Sequence, residues 1–164
     1  MAVAAATYAS VPAFSLKGTD ATCKVVRCHD GDSVHAALVL FGQAQRIECR
    51  LDGIDTPEMS EPSQRPAAIR ARARLIELCT TCSTAEVASA TTAAQLQRVL
   101  DTNTKLLRIT LGDSDKYGRW LAKLFALDTG VCVNEVLVQE GLAHRYDGGT
   151  KAPWLEMDPL ALQA

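Results

Sequence analysis

The sequence predicts an α+β chain in which β structure dominates: five short strands closing into a barrel, with two to three helices packed against it. Three observations predict this. Residues 23–51 read as three strands broken by turn residues, a helical pattern follows, and two further strands resume near residue 105 ahead of a last helix. The chain of 164 residues, 48% of them hydrophobic, suits one domain with one core.

The first three strands are "CKVVRC", "DSVHAALVLFG" and "QRIECRL", rich in apolar and β-branched residues and punctuated by "HDGD" and "GQAQ". After "DTPEMSEPSQRP" the period changes. Pro66 suits a first helical turn, and Ile69, Ala73, Ile76 and Cys79 recur at helical spacing, which predicts that they form the buried stripe. The low-complexity "TTCSTAEVASATT" reads as a linker into a second short helix, capped by Thr92 and Gln95 and burying Leu96, Val99 and Leu100. Strands resume at "KLLRITLG", break at "DSDKYGR" and continue through "WLAKLFAL" as a hairpin. The last helix, "VNEVLVQEGL", is expected to take Asn134 as its cap, with Gly141 in the left-handed position at its end and Leu142 packing back. Five strands with a helix between the third and fourth is the arrangement of an OB-fold, whose open face and loops bind oligonucleotides or oligosaccharides.

Composition limits what this barrel can do. The net charge of −2 excludes a broadly basic nucleic-acid surface, so any phosphate recognition must be local. No apolar run is long enough to cross a bilayer, and the Ala-rich first twenty residues lack the basic and apolar regions of a secretory signal. Six cysteines are expected as reduced thiols, because a chain this long does not need staples. "CTTC" has zinc-like spacing, but no second pair accompanies it. These features favour a soluble, intracellular, monomeric protein.

Three polar clusters interrupt the apolar framework: "HDGDSV", "CRLDGIDTPEM" and "DSDKYGRW". Taken singly, each is an ordinary turn or solvated loop. Together they supply a combination that phosphodiester hydrolysis needs. Two carboxylates and a carbonyl are hard oxygen ligands for Ca²⁺, and so few protein ligands leave room for waters and a phosphate. Two arginines from separate loops, Arg50 and Arg119, can meet the phosphate oxygens bidentately, and Glu58, three residues past Asp55, can take a proton from an attacking water.

In order and largely in spacing, "DGDSV", "CRLDGIDTPE", "DKYGR" and "VNEVLVQEGLA" resemble the staphylococcal nuclease family, from about Cys23 to Lys151. The resemblance implies an OB-fold with Ca²⁺-dependent cleavage of DNA and RNA at the 5′ P–O bond, leaving 3′-phosphates. It implies that Asp32 and Asp55 are the calcium carboxylates and that Thr56 gives its backbone carbonyl. Glu58 resembles the general base, Arg50 and Arg119 the phosphate-binding arginines, and Lys116 and Tyr117 the contacts to a terminal phosphate. Tyr146 is an approximate counterpart of a base-stacking tyrosine. Ser33 stands where the type member has Thr, and the segment 80–104 is an added helical element. The expected organisation is a flexible N-terminal tail over 1–20, the nuclease-like domain over 21–151 and a C-terminal tail over 152–164. The other reading is a non-catalytic nucleic-acid- or protein-binding module of the same fold, which would be expected to have lost some of Asp32, Arg50, Asp55, Glu58 and Arg119. For the catalytic reading, a single strand is the expected substrate, since a small barrel face offers a groove to a flexible chain more readily than to a duplex.

Overall fold

A computed structural model of the protein describes residues 3–151, 153 and 154. Apart from Pro153 and Trp154, the expected C-terminal tail lies outside the described residues. Strands β1 (Asp20–Cys28), β2 (Ser33–Leu40), β3 (Gln43–Leu51), β5 (Leu107–Ser114) and β6 (Trp120–Ala126) form a closed barrel in the order β1-β2-β3-β6-β5. The pairings are antiparallel except β3 with β6, where Cys49, Arg50 and Leu51 run parallel to Trp120, Leu121 and Ala122. That parallel pair needs a long crossover, which the intervening helices provide. Alternation decides the barrel interior: Cys23 and Val25, Val34, Ala36 and Leu38, Cys49 and Leu51, Leu107 and Ile109, and Ala122 and Leu124 are all buried. The expected mainly β, OB-type barrel is what the chain forms.

A two-residue ladder, β4 (Ile54–Asp55) with β7 (His144–Arg145), sits outside the barrel and pairs Asp55 with His144. Helix α1 (Arg65–Cys79) carries Pro66 in its first turn, as expected, but its buried face is Ala68, Ala71, Leu75, Ile76 and Cys79. Ile69 is 46% exposed. The stripe is rotated towards Ala71, which lies against the turn between β1 and β2: a Cβ on Gly31 would stand 2.7 Å from Ala71 Cβ.

The stretch expected as a linker contains helix α2 (Thr84–Ser89), with its own capping box of Ser83 and Glu86 and a buried Val87. Helix α3 (Ala93–Thr102) has the expected Thr92 and Gln95 box and buries Leu100, with Leu96 and Val99 half-buried against the core. Both helices lie within the segment 80–104. It docks on β1, where Gln97 Nε2 donates to Val26 O at 2.8 Å and Lys24 Nζ donates to Asp101 O at 3.0 Å.

Helix α4 (Val133–Gln139) begins one residue before the expected cap, and Cys132 holds the cap position without a side-chain bond. Asn134 is buried instead. Its amide donates to Asp52 O and Ala122 O at 2.9 and 3.0 Å and accepts from Leu124 N at 3.2 Å. A buried amide with three partners is satisfied only by these backbone groups, so Asn134 ties α4 to β6 and to the chain entering β4. Gly141 has φ +69, the left-handed conformation expected of it. At the other end of the chain, Leu16 is 7% exposed and Phe14 meets Trp120 edge-on at 6.5 Å, so the segment ahead of β1 is anchored where it joins the barrel.

Candidate active site

The site is assembled by backbone pairing before any side chain is considered. Ser33 opens β2 directly opposite Arg50 on β3, and Leu51 N donates to Asp32 O at 2.7 Å, which brings the "HDGD" turn beside the end of β3. Strand alternation turns Arg50 out of the barrel while Cys49 and Leu51 point in. The β4–β7 ladder then holds Asp55 near the same place.

The Arg50 guanidinium forks between the two aspartates, with Nη1 2.7 Å from Asp32 Oδ2 and Nη2 3.0 Å from Asp55 Oδ1. Nη2 also donates to Ile54 O at 3.1 Å. The side chains are nearly dry: Arg50 is 11% exposed, Asp32 4% and Asp55 3%. Asp32 is further held by Thr56 N, which donates to Oδ2 at 3.3 Å, and by Ser33 Oγ, which donates to Oδ1 at 3.0 Å. Burial pushes the Asp32 carboxyl above its ordinary value, against the opposing pull of Arg50, and burial raises Asp30 in the same way. Burial works against the charge of Arg50 too, but Asp32 and Asp55 more than offset it and hold the guanidinium above its usual range.

Arg119 enters from the loop between β5 and β6. Asp115 organises that loop: its Oδ1 accepts from Tyr117 N and Arg119 N, both at 2.9 Å, and its Oδ2 accepts from Arg119 Nε and pairs with Nη2, both at 2.8 Å. The remaining arm of Arg119, Nη1, reaches Ser33 Oγ at 3.4 Å, next to Asp32. Arg119 therefore faces the carboxylates and is not turned to the far side of the barrel.

A cavity of about 520 Å³ is lined by Asp32, Arg50, Glu58 and Arg119, with Lys116, Tyr117 and Tyr146 at its walls. Lys116 and Arg119 both lie over the Tyr117 ring, at 5.1 and 5.5 Å, and Arg50 lies 5.6 Å from the Tyr146 ring centre. Glu58 is held by its backbone, whose N–H donates to Gln64 Oε1 at 2.9 Å, and its carboxylate meets Lys151. The structure thus brings Asp32, Arg50, Asp55, Thr56, Glu58, Lys116, Tyr117, Arg119 and Tyr146 to one face. All six cysteines are free, and among the described residues no group of three His, Cys, Asp or Glu side chains converges to hold a metal. Among the described residues, no helix is long and apolar enough to cross a membrane.

Sequence reasoning missed four groups of this site. Asp115 could have been found, since an aspartate four residues before Arg119 in a turn is a local signal. Asp30, 7% exposed with Oδ1 lacking a partner among the described residues, was legible only as half of a turn dipeptide. Lys151 and Trp154, both bonded to Asp55, come from a segment with no periodicity.

Gly31 sits between the two aspartates of the turn, and a Cβ there would meet Ala71 Cβ at 2.7 Å and Thr56 Cγ2 at 2.9 Å. The glycine is needed for close approach. Gly31→Ala is expected to destabilise the protein by about 1–3 kcal/mol through overpacking, and to shift Asp32 relative to Thr56. Thermal unfolding checks this, and an unchanged Tm would count against the tight contact.

The site defines the protein as an OB-fold with an arginine-bridged pair of acidic residues at the barrel rim. A comparison with protein families matches residues 48–156 to the staphylococcal nuclease homologue family, and the chain belongs to it. The matched region includes Arg50, Asp55, Thr56, Glu58, Lys116, Tyr117, Arg119 and Tyr146, whereas Asp32 lies outside it and joins the site through its bond to Arg50. No curated protein matches the chain.

Proposed function

We propose that the protein is a Ca²⁺-dependent phosphodiesterase that hydrolyses single-stranded DNA or RNA at the 5′ P–O bond, leaving 3′-phosphates. The observation that supports this most is that Arg50 bridges Asp32 and Asp55 while Glu58 and Arg119 line the same cavity. The available donors suit a hard cation. Asp32 and Asp55 offer carboxylate oxygens, and two further buried oxygens close by in the fold, Asp30 Oδ1 and Thr56 Oγ1, have no hydrogen-bond partner among the described residues. Asp32, Asp55 and the Thr56 carbonyl would hold the ion, with water and substrate oxygens completing its shell. When bound, Ca²⁺ would polarise the scissile phosphate and lower the pKa of the attacking water.

The chain's own groups do the rest. Glu58 accepts the proton of the water as its oxygen bonds to phosphorus. Arg50 and Arg119 donate to the phosphate oxygens as negative charge builds on them, and Arg119 also donates to the departing 5′ oxygen. Lys116 and Tyr117 receive a terminal phosphate, and Tyr146 offers a ring to a base. A second cavity of about 420 Å³ shares Asp30, Ser33, Glu58 and Arg119 with the first, so a flexible strand has space on both sides of Arg119.

Purified protein is expected to degrade denatured DNA when Ca²⁺ is added and to stop when the ion is chelated. Cleavage that survives chelation would overturn the metal dependence, and no cleavage with Ca²⁺ present would leave a binding module of the same fold.

A further inference from the structure

The chain after β7 folds back over the carboxylates of the site. Tyr146 N donates to Gly53 O at 2.9 Å, and five residues on Lys151 Nζ lies 2.8 Å from Asp55 Oδ1 and 2.5 Å from Glu58 Oε1. Trp154 Nε1 donates to Asp55 Oδ2 at 3.3 Å while its ring stacks on His144 at 3.8 Å. Asp55 is therefore contacted on both oxygens, and Oδ1 carries two charged donors at once, Arg50 at 3.0 Å and Lys151.

A carboxylate oxygen has two lone-pair directions, so a cation that takes Asp55 Oδ1 has to displace one of these donors. The two are unequal. Arg50 is 11% exposed and also tied to Asp32 and to the Ile54 carbonyl. Lys151 is 45% exposed and follows Gly148 and Gly149 at a spacing of two residues, with Gly148 at φ +94. A flexible ammonium next to two glycines leaves at lower cost than a buried fork with three acceptors.

Resting on the calcium-site reading above, we infer that Lys151 is a built-in competitor for the metal: it sets the affinity for a divalent cation by occupying Asp55 and Glu58 and having to leave both when the ion binds. Metal loading then frees Glu58 for the attacking water. The released ammonium stays beside the cavity that Lys116 and Arg119 also line, where a substrate phosphate can take it up.

Calorimetric titration of the intact protein with calcium chloride, without nucleic acid, tests this independently of activity. Lys151→Met keeps the bulk of the side chain and removes the charge. It is expected to bind Ca²⁺ about tenfold more tightly or better, since the wild type must first break the 2.8 Å ion pair of Lys151 with Asp55, which is worth about that much even at the screening of water. Lys151→Arg keeps the charge and is expected to bind Ca²⁺ no more tightly than the wild type. Unchanged or weaker binding by Lys151→Met overturns the role of Lys151 alone. No heat of binding in either the wild type or Lys151→Met overturns the calcium site itself, and this inference with it.

Discussion

Arg50→Ala is expected to lose both activity and stability, on separable grounds. On the proposed function, Arg50 is a preorganised donor to the charge that builds on phosphate, and losing it costs on the order of 3 kcal/mol in the transition state, a rate loss of about a hundredfold or more. The second loss needs no substrate. Arg50 is the shared counter-ion of Asp32 and Asp55, which are 4% and 3% exposed. Lys151 stays with Asp55, but among the described residues Asp32 is left with only neutral donors, Ser33 Oγ and Thr56 N. Removing one partner of a buried pair costs about 3–5 kcal/mol, equivalent to a fall in Tm on the order of 10 °C for a chain of this size.

The pH dependence distinguishes an orphaned charge from a packing defect. Burial already raises Asp32 above its ordinary value of 3.8, and Arg50 is the largest influence opposing that rise. Without Arg50 the folded-state value climbs further. A carboxyl raised in the folded state contributes stability below its unfolded value, and loses it as pH rises through the folded one. The Tm deficit of Arg50→Ala relative to the wild type, measured without divalent ions, should therefore be small near about pH 4 and grow towards about pH 7. A deficit that is constant with pH would mean that lost packing explains the effect. Arg50→Lys is expected to recover little, because a compact ammonium cannot bridge two aspartates as the fork does.

What the sequence made legible follows from the range over which each signal acts. The five barrel strands were readable because alternation is imposed residue by residue, as in Cys23 and Val25 or Cys49 and Leu51. Three features escaped for the opposite reason. The face of α1 turned because Gly31, some forty positions earlier, brings a turn against Ala71, and no periodicity within the helix records that. Asn134 looked like a cap because asparagine favours caps, but its bonds to the backbone of Asp52, Ala122 and Leu124 outweighed the local preference. Helix α2 did carry its signal, Ser83 three residues before Glu86, inside a segment whose low complexity read as linker.

The site divides in the same way. Arg50, Asp55, Thr56 and Glu58 are close in sequence, so one motif at a strand end predicts that they share a place. Asp32 and Arg119 come from other loops, and they are united by the antiparallel pairing of β2 with β3 and the parallel pairing of β3 with β6. Lys151 and Trp154 reach their partners across 93 and 99 residues from a segment with neither strand nor helix pattern. Nothing local marks them, and only the folded chain shows that the acidic site has a cover.

Arg119→Ala is expected to separate the two losses that Arg50→Ala combines. Arg119 is 22% exposed, and its ionic partner is Asp115, four residues earlier in the same loop. Burial alone would push Asp115 up, but the N–H groups of Arg119 and Tyr117, with the guanidinium, hold its carboxyl below the ordinary value. Truncating Arg119 removes the guanidinium and leaves both backbone donors in place, so Asp115 is not orphaned. A pair of this kind, local and partly solvated, contributes roughly 0–1 kcal/mol, and Tm should fall by no more than about 3 °C. The rate is another matter. On the proposed function Nη1, now 3.4 Å from Ser33 Oγ, is the arm that would reach the phosphate, and kcat on Ca²⁺-loaded protein should drop about a hundredfold or more. Most of that loss should appear in kcat and little in KM, because the charge that Arg119 would meet is greatest in the transition state. If Arg119→Ala melts as early as Arg50→Ala, the loop is structural; if it cleaves single strands at the wild-type rate, the second arginine has no part in the chemistry.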